Sequence, residues 1–357
     1  MKMSVIHPSE IDGGLYRRWG ELVDANPDLA SPYFAPDFTQ AVAAVRDDVF
    51  VGVLQDAGKA VGFFPFQRGR YGTGRPVGGP FSDCHGFIVD PAAEWSAEAL
   101  IKGCGLSLWT FDHLLASQKP FERWHRISDC SPIMDLSGGY AGYAETRRAQ
   151  GSKQLQKVGQ KQRGLERDMG QLRFEVHTTD LGALSRLLAY KSHQYLTSGL
   201  VDAFQFPWTR GLLEHILAVQ TPAFAGLLSV LYAGDQLAAV HMGMRSRTVW
   251  HYWFAGYAQG LARYSPSLIL LTEMAKAAES IGITVIDMGK GPEEYKKLFA
   301  TGAVPLAEGC VELPSFAGAL RAVRRTTESW IRRSPLLPIA RIPGRVLRRF
   351  ESKHSFR

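Results

Sequence analysis

Cysteine is scarce in this 357-residue chain: Cys84, Cys104, Cys130 and Cys310 are widely scattered and form no CxxC pair. That argues against a disulfide scaffold and against a cysteine-held zinc site. Charge is modest too, at 21% of residues against 45% apolar, which excludes intrinsic disorder and leaves material for a large core. No uncharged apolar run, Phe224–Ala233 included, approaches the length of a membrane span. Residues Met1–Glu10 hold no apolar h-region, so no secretory signal is expected. The expectation is a soluble, cytoplasmic globular protein with room for two domains.

What charge there is lies unevenly. The formal net charge is +7, yet Arg321–Arg357 alone carries eleven Lys/Arg and two Glu, leaving residues 1–320 at −2. A nucleic-acid binder that reads along its fold would have a basic body, so nucleic acid ranks last among the partners. The tail interleaves its arginines with Leu320, Trp330, Leu337, Val346 and Phe350. Two readings stand side by side: an amphipathic segment lying on anionic lipid, or a solvated helix capping the last domain.

Along the body, strand-like and helix-like stretches alternate, which predicts a mixed α/β fold. Asp48–Leu54 and Ala60–Phe66 read as strands around the turn Asp56–Lys59, and Phe224–Tyr232 with Gln236–Met244 repeats that layout. The two hairpins can be overlaid, as tandem copies of one fold would allow. Between them, Ser152–Met169 is a polar helix with Lys153, Lys157 and Lys161 on one face. Leu181–Ser198 and Trp208–Gln220 also have helical apolar spacing. An aromatic-rich strand, Thr248–Tyr257, leads to a helix from about Pro266 to Ser280, a strand at Thr284–Met288 and a short helix at Glu293–Phe299. The expected domains are 1–150 and 151–314, followed by the basic tail 315–357.

The chemistry concentrates in Ala255–Phe299. Ser265 suits an N-cap and Pro266 the first helical position. Such a helix start offers free N–H groups to a phosphate, and Gly260 and Arg263 stand beside it. In IDMGKGPEEYKKLF, Asp287 closes a buried-type strand, Gly289 and Gly291 flank Lys290 in a sharp turn, and Tyr295 and Lys296 return toward the strand ends. His241 and His251 have a side chain that titrates near neutrality, although His241 sits among apolar strand residues and reads as structural. His251 and Tyr252 are neighbours on a strand, so one faces a cleft and the other faces away. Lys191, His193 and Tyr195 alternate on a helix and are not expected to share a face. The Gly-rich loop GGPFSDCHG places Asp83 and His85 where they either reach substrate or close a tight loop.

The run YWFAGY…YSPSL…GITVIDMGKGPEEYK resembles the acetyltransferase domain of the CelD-type, or BioF-like, branch of the GNAT superfamily. That branch is linked to cellulose and other exopolysaccharide production, and is similar to the FemAB/FemX aminoacyltransferases with their two tandem GNAT-like domains. The likeness is good across Lys153–Val311 and weaker at SPYFAPDFTQAV, GFFPF and GGPFSDCHG. Asp287, Gly289, Gly291, Glu294, Tyr295 and Lys296 match the motif. Ser267 stands for the usual glycine and Lys290 for the usual arginine, and the Q/R-x-x-G-x-G/A loop is absent.

The resemblance implies an α/β (α+β) chain of two tandem GNAT-like domains, with mixed central sheets flanked by helices. It implies an acyl-CoA-dependent N-acyltransferase, with acetyl-CoA or another acyl-CoA as donor and no metal. The acceptor would be an amino sugar, as a sugar nucleotide or lipid-linked saccharide, at the inner face of the cell membrane. His251, Tyr252, Asp287, Tyr295 and Lys296 become the catalytic candidates. Gly260, Arg263, Ser265, Ser267 and Lys290 would bind the donor; Asp83, His85, Tyr257 and Glu294 would bind the acceptor. Two alternatives stand: a FemX-like transferase using aminoacyl-tRNA, and a non-catalytic partner of a polysaccharide synthase.

Overall fold

The computed structural model describes residues 1–314; the segment 315–357, and with it the expected basic amphipathic tail, lies outside the described residues. In chain order the strands are β1 (Lys2–Ile6), β2 (Val49–Asp56), β3 (Lys59–Arg68), β4 (Thr73–Arg75), β5 (Ile88–Val89), β6 (Leu108–Leu115), β7 (His125–Asp135), β8 (Leu172–Glu175), β9 (Ala225–Ala233), β10 (Gln236–Arg245), β11 (Val249–Tyr257), β12 (Val285–Asp287) and β13 (Gly302–Glu312). The helices are α1 (Gly13–Asp24), α2 (Pro36–Ala43), α3 (Ala97–Gly103), α4 (Gly139–Ala149), α5 (Gln154–Met169), α6 (Leu181–Thr197), α7 (Pro207–Ala218), α8 (Pro266–Ala277) and α9 (Glu294–Phe299). None of the helices among the described residues is long and apolar enough to cross a membrane.

The chain forms two units. Among the described residues the first takes Met1–Ala25, Arg46–Ser128 and 307–314; the second takes Asn26–Val45 and Asp129–Leu306. Where a contiguous boundary near Gly151 was expected, the partition interleaves the sequence. The cause is non-local pairing: Ile133–Asp135 of β7 lies antiparallel to β12, and α2 packs on α7.

In the first unit β1, β2 and β3 are antiparallel, β4 is antiparallel to β3 and parallel to β6, and β5 adds to β3. The expected turn between β2 and β3 closes through Ala57 and Gly58, both at positive φ (47° and 81°), the primed geometry that matches strand twist. Phe64, Phe66, Phe87, Trp109 and Phe121 fill the core, with Ile101 from α3, and Trp19 of α1 stacks on Phe63 at 4.8 Å.

In the second unit β8 through β11 are successively antiparallel, β12 is parallel to β11, and β7 is antiparallel to β12. This is a mixed sheet flanked by helices, the fold class expected. Nearly every residue of β9 is buried, so both faces are covered; α6, α7 and α8 all contact the sheet. Ile269, Leu270, Leu271 and Met274 of α8 are fully buried with Trp250, Ile286 and Phe299. Burial of a side chain of that size contributes about 1.5–3 kcal/mol, so α8 is anchored independently of its cap.

Helix α7 approaches β9 so closely that only glycine fits at position 226. A Cβ there would lie 2.7 Å from the Ile216 carbonyl carbon and 2.8 Å from Leu217 Cα. Gly226→Ala is therefore expected to cost about 1–3 kcal/mol in a urea titration. Gly260→Ala, with no atom within 4 Å of its Cβ, should stay within about 0.5 kcal/mol of the parent. Equal midpoints for the two variants would refute the account of this packing.

Candidate active site

The end of β11 and the start of α8 form one side of the site. Along β11, His251 and Tyr252 face opposite ways, as strand geometry requires, and it is Tyr252 that lines a cleft. His251 is fully buried, its ring edge-on to Tyr33 at 5.0 Å, and Nδ1 lies 3.7 Å from Asp287 Oδ2. After β11 the chain makes a 3-10 turn, Gln259–Tyr264, before Ser265 at φ 51°, ψ 56°. Ser265 occupies the N-cap position of α8, and its carbonyl accepts from the Leu268 and Ile269 N–H groups. Its side chain does not cap: its left-handed backbone leaves Oγ to accept a hydrogen bond from Lys161 Nζ, 2.6 Å away on α5. Ser265 and Ser267 both line the cleft, at a helix start where Pro266 has no N–H and the Ser265 carbonyl takes those of Leu268 and Ile269, so that the first turn presents the Ser267 N–H. Gly260 and Arg263 do not line it. Arg263 is exposed and pairs with Asp168 at 3.4 Å over the Tyr264 ring.

The end of β12 and the turn after it form the other side. Asp287 accepts hydrogen bonds from Ser131 Oγ and from the Gly289 N–H. Burial pushes its carboxyl up, but bonding and charge from His251, with the Ser131 and Gly289 bonds, outweigh that, so it sits below the usual carboxylate range. Gly289 has φ 71°, the left-handed region the sharp turn requires. Lys290 turns away from the cleft toward Asp129, 3.9 Å off, and only its backbone serves the site. Its carbonyl accepts from Lys296 Nζ at 3.1 Å, and the same ammonium pairs with Glu293 at 3.0 Å. Lys296 is only 6% exposed. Glu294, the neighbour with the motif match, is exposed and outside the lining; Glu293 lines it instead.

The cleft holds about 550 Å³, within the range of small-molecule sites. Of the residues expected from sequence, Tyr252, Tyr257, Ser265, Ser267, Tyr295 and Lys296 line it, whereas His251, Asp287, Gly260, Arg263, Lys290 and Glu294 do not. Asp83 and His85 belong to the first unit, while every lining residue comes from the second. Sequence reasoning missed Glu293, Tyr190 and Gln194, and took Lys191 and His193 for residues on different faces. Both line the cleft, because α6 presents 190, 191, 193, 194 and 197 as a single broad face.

Burial sets the protonation of this lining. It pushes the Tyr252 phenol well above its ordinary range, with Tyr295 adding to the effect. Burial and then Glu293 likewise raise Tyr295. Both phenols therefore keep their protons at neutral pH. Burial lowers the Lys191 ammonium; Glu293 opposes this and Lys296 adds to it. His241 stacks under Tyr252 with ring centroids 4.5 Å apart, and burial holds it neutral with a pKa of about 3. Its Nε2 accepts from the Trp253 N–H at 3.2 Å, so its role is structural, as the strand pattern suggests.

Residues 152–297 match the family model described as Acetyltransferase (GNAT) domain. No curated protein matches the chain. Among solved structures, FemX aligns over 90% of this chain and 100% of its own, with a TM-score of 0.60 at 10% identity. The C-terminal domain of a putative lysylphosphatidylglycerol synthetase from Agrobacterium fabrum aligns over 87% and 95%, with a TM-score of 0.50 at 13% identity. A tandem GNAT protein from the clavulanic acid biosynthesis pathway covers 88% of this chain and 100% of its own at a TM-score of 0.49 and 8% identity. The first two likenesses are of fold.

The depressed Asp287 carboxyl makes stability depend on pH. A group whose folded pKa lies below its unfolded value of about 3.9 stabilises above that value, and the gain disappears as pH falls through the folded pKa. Asp287→Asn should lose about 1–3 kcal/mol near pH 7, and the gap to the parent should shrink as unfolding is repeated toward pH 3. A gap independent of pH would mean that the carboxylate is not charged in the folded protein.

Proposed function

We propose that the second unit is an acyl-CoA-dependent N-acyltransferase. The observation that carries this reading is an open cleft leading from the α8 start, at Ser265 and Ser267, to Tyr252, Tyr295 and Lys296. The positive end of the α8 dipole and the Ser267 N–H favour the donor's phosphates, and the ammonium of Lys161 stands on Ser265 beside them. The polar end of the same cleft provides what acyl transfer needs.

In the reaction an uncharged amine attacks the thioester carbonyl. A C–N bond forms, the C–S bond breaks, and the thiolate leaves with a proton. Tyr252 and Tyr295, held as phenols, are the proton donors to that thiolate. The desolvated Lys296 ammonium stabilises the negative oxygen of the tetrahedral intermediate. Glu293, through water, takes the proton that the amine sheds. Asp287 and His251, outside the lining, hold β11, β12 and the turn in register and do not touch substrate.

The resemblance of the motif block to the CelD-type branch supports an amino sugar or lipid-linked saccharide as acceptor, with 321–357 keeping the enzyme at an anionic membrane face. Aminoacyl transfer from tRNA, the reading the FemX-like fold leaves open, sits poorly with the net charge of −2 over residues 1–320.

Calorimetry with acetyl-CoA on the full chain should show binding that Lys161→Ala weakens. With an amine acceptor, Lys296→Ala is expected to lower kcat about 100-fold, and Tyr252→Phe to lower kcat by a similar factor with little change in KM. Absence of heat at millimolar acetyl-CoA, together with a salt-sensitive shift by aminoacyl-tRNA, would replace this reading with the aminoacyl one.

A further inference from the structure

The Gly-rich loop that the acyltransferase reading leaves unused carries a site of its own. Gly78 and Gly79, at φ 86° and 51°, turn the loop so that His85 runs parallel to β6. The His85 N–H donates to the His113 carbonyl at 2.8 Å, and the Leu115 N–H donates to the His85 carbonyl at 3.0 Å. This lock brings His85, Asp112 and His113 together, with one candidate ligand atom from each lying within 4.8 Å of the others.

The proton positions follow from the partners. His85 Nε2 lies 2.9 Å from the Ser82 carbonyl, which can only accept, so the ring proton is on Nε2. Nδ1 then carries the lone pair, which accepts from the His113 N–H at 3.3 Å. It faces Asp112 Oδ1 at 3.7 Å, one acceptor against another. His113 Nδ1 lies 3.0 Å from the same carboxylate oxygen but makes no hydrogen bond. Its other nitrogen is 3.9 Å from Asp83 Oδ1.

We propose that His85, His113 and Asp112 bind a divalent transition-metal ion, with zinc as the fitting example. Ligand atoms on a tetrahedral zinc lie about 3.3 Å apart, and the 3.0 Å and 3.7 Å separations straddle that spacing. The Ser82 carbonyl and the Asp83 carboxylate stand behind the imidazoles where orienting partners of metal-bound histidines belong. Asp112, 61% exposed, opens the site to solvent. Three protein ligands leave a coordination position for water. The ion would tie loop 78–86 to β6, in a unit that has no cysteine-pair alternative.

The test uses the full chain stripped with a chelator and titrated with zinc alone, by calorimetry and by competition with a chromophoric chelator. One equivalent is expected, with a rise in Tm. Asp112→Asn, at an exposed position, and His113→Ala should each abolish that equivalent while the protein stays folded by circular dichroism. Asp83→Asn should weaken it about tenfold, and Cys130→Ser should leave it unchanged. Cobalt(II) in place of zinc should give visible bands that Asp112→Asn alters. Failure of the parent to bind zinc, an unchanged equivalent in both Asp112→Asn and His113→Ala, or its loss in Cys130→Ser would each overturn the proposal.

Discussion

A buried ammonium governs the second unit. Lys296 is almost wholly removed from solvent, and a charge in that position is tolerated only where its hydrogen-bonding and charge demands are met. Glu293 and the Lys290 carbonyl meet them, which obliges the chain between β12 and α9 to fold back over the lysine. That path passes through Gly289 at positive φ and through Gly291, where a Cβ would press on the Lys296 amine at 2.7 Å. Asp287 takes the Gly289 N–H and so joins the turn to the sheet. The wall of the cleft, Tyr295 included, exists because this one charge is held.

The same economy explains why neighbouring charges stay out of the cleft. Arg263 is drawn to Asp168 and Lys290 to Asp129, each by a carboxylate far away in the chain. Lys161, from a helix a hundred residues earlier, takes the place at Ser265 that a local cation was expected to fill. Cation identity at such a site is interchangeable in sequence; which cation arrives depends on where the partners of the others lie.

The elements were largely legible. The strand-turn-strand layout placed the β2–β3 and β9–β10 hairpins, lysine spacing placed α5, apolar spacing α6 and α7, and the Ser265–Pro266 start α8, with ends shifted by only a few residues where the final turns fray. The interleaving of 26–45 and 129–150 with the second unit was not, because β7 pairing with β12 joins segments about 150 residues apart and leaves no local mark. At the site, alternation along β11 showed that His251 and Tyr252 must part company without saying which faced the cleft. The EE pair before Tyr295 held the needed signal: only Glu293 is three residues from Lys296, the spacing at which helical side chains meet.

The order of residues alone determined the mixed α/β class, the β11–α8 and β12–α9 transitions and the acid, phenol and amine that gather there, since these follow from periodicity, turn chemistry and residue type. Tertiary structure decided which of them share a cavity. Burial lifts the Tyr252 phenol further above neutrality and keeps His241 neutral, and packing of α6 brings Lys191 to the site. It likewise set His85 against Asp112 and His113. Distance in space and loss of solvent are properties of the folded chain, and proton positions and charge pairing depend on both.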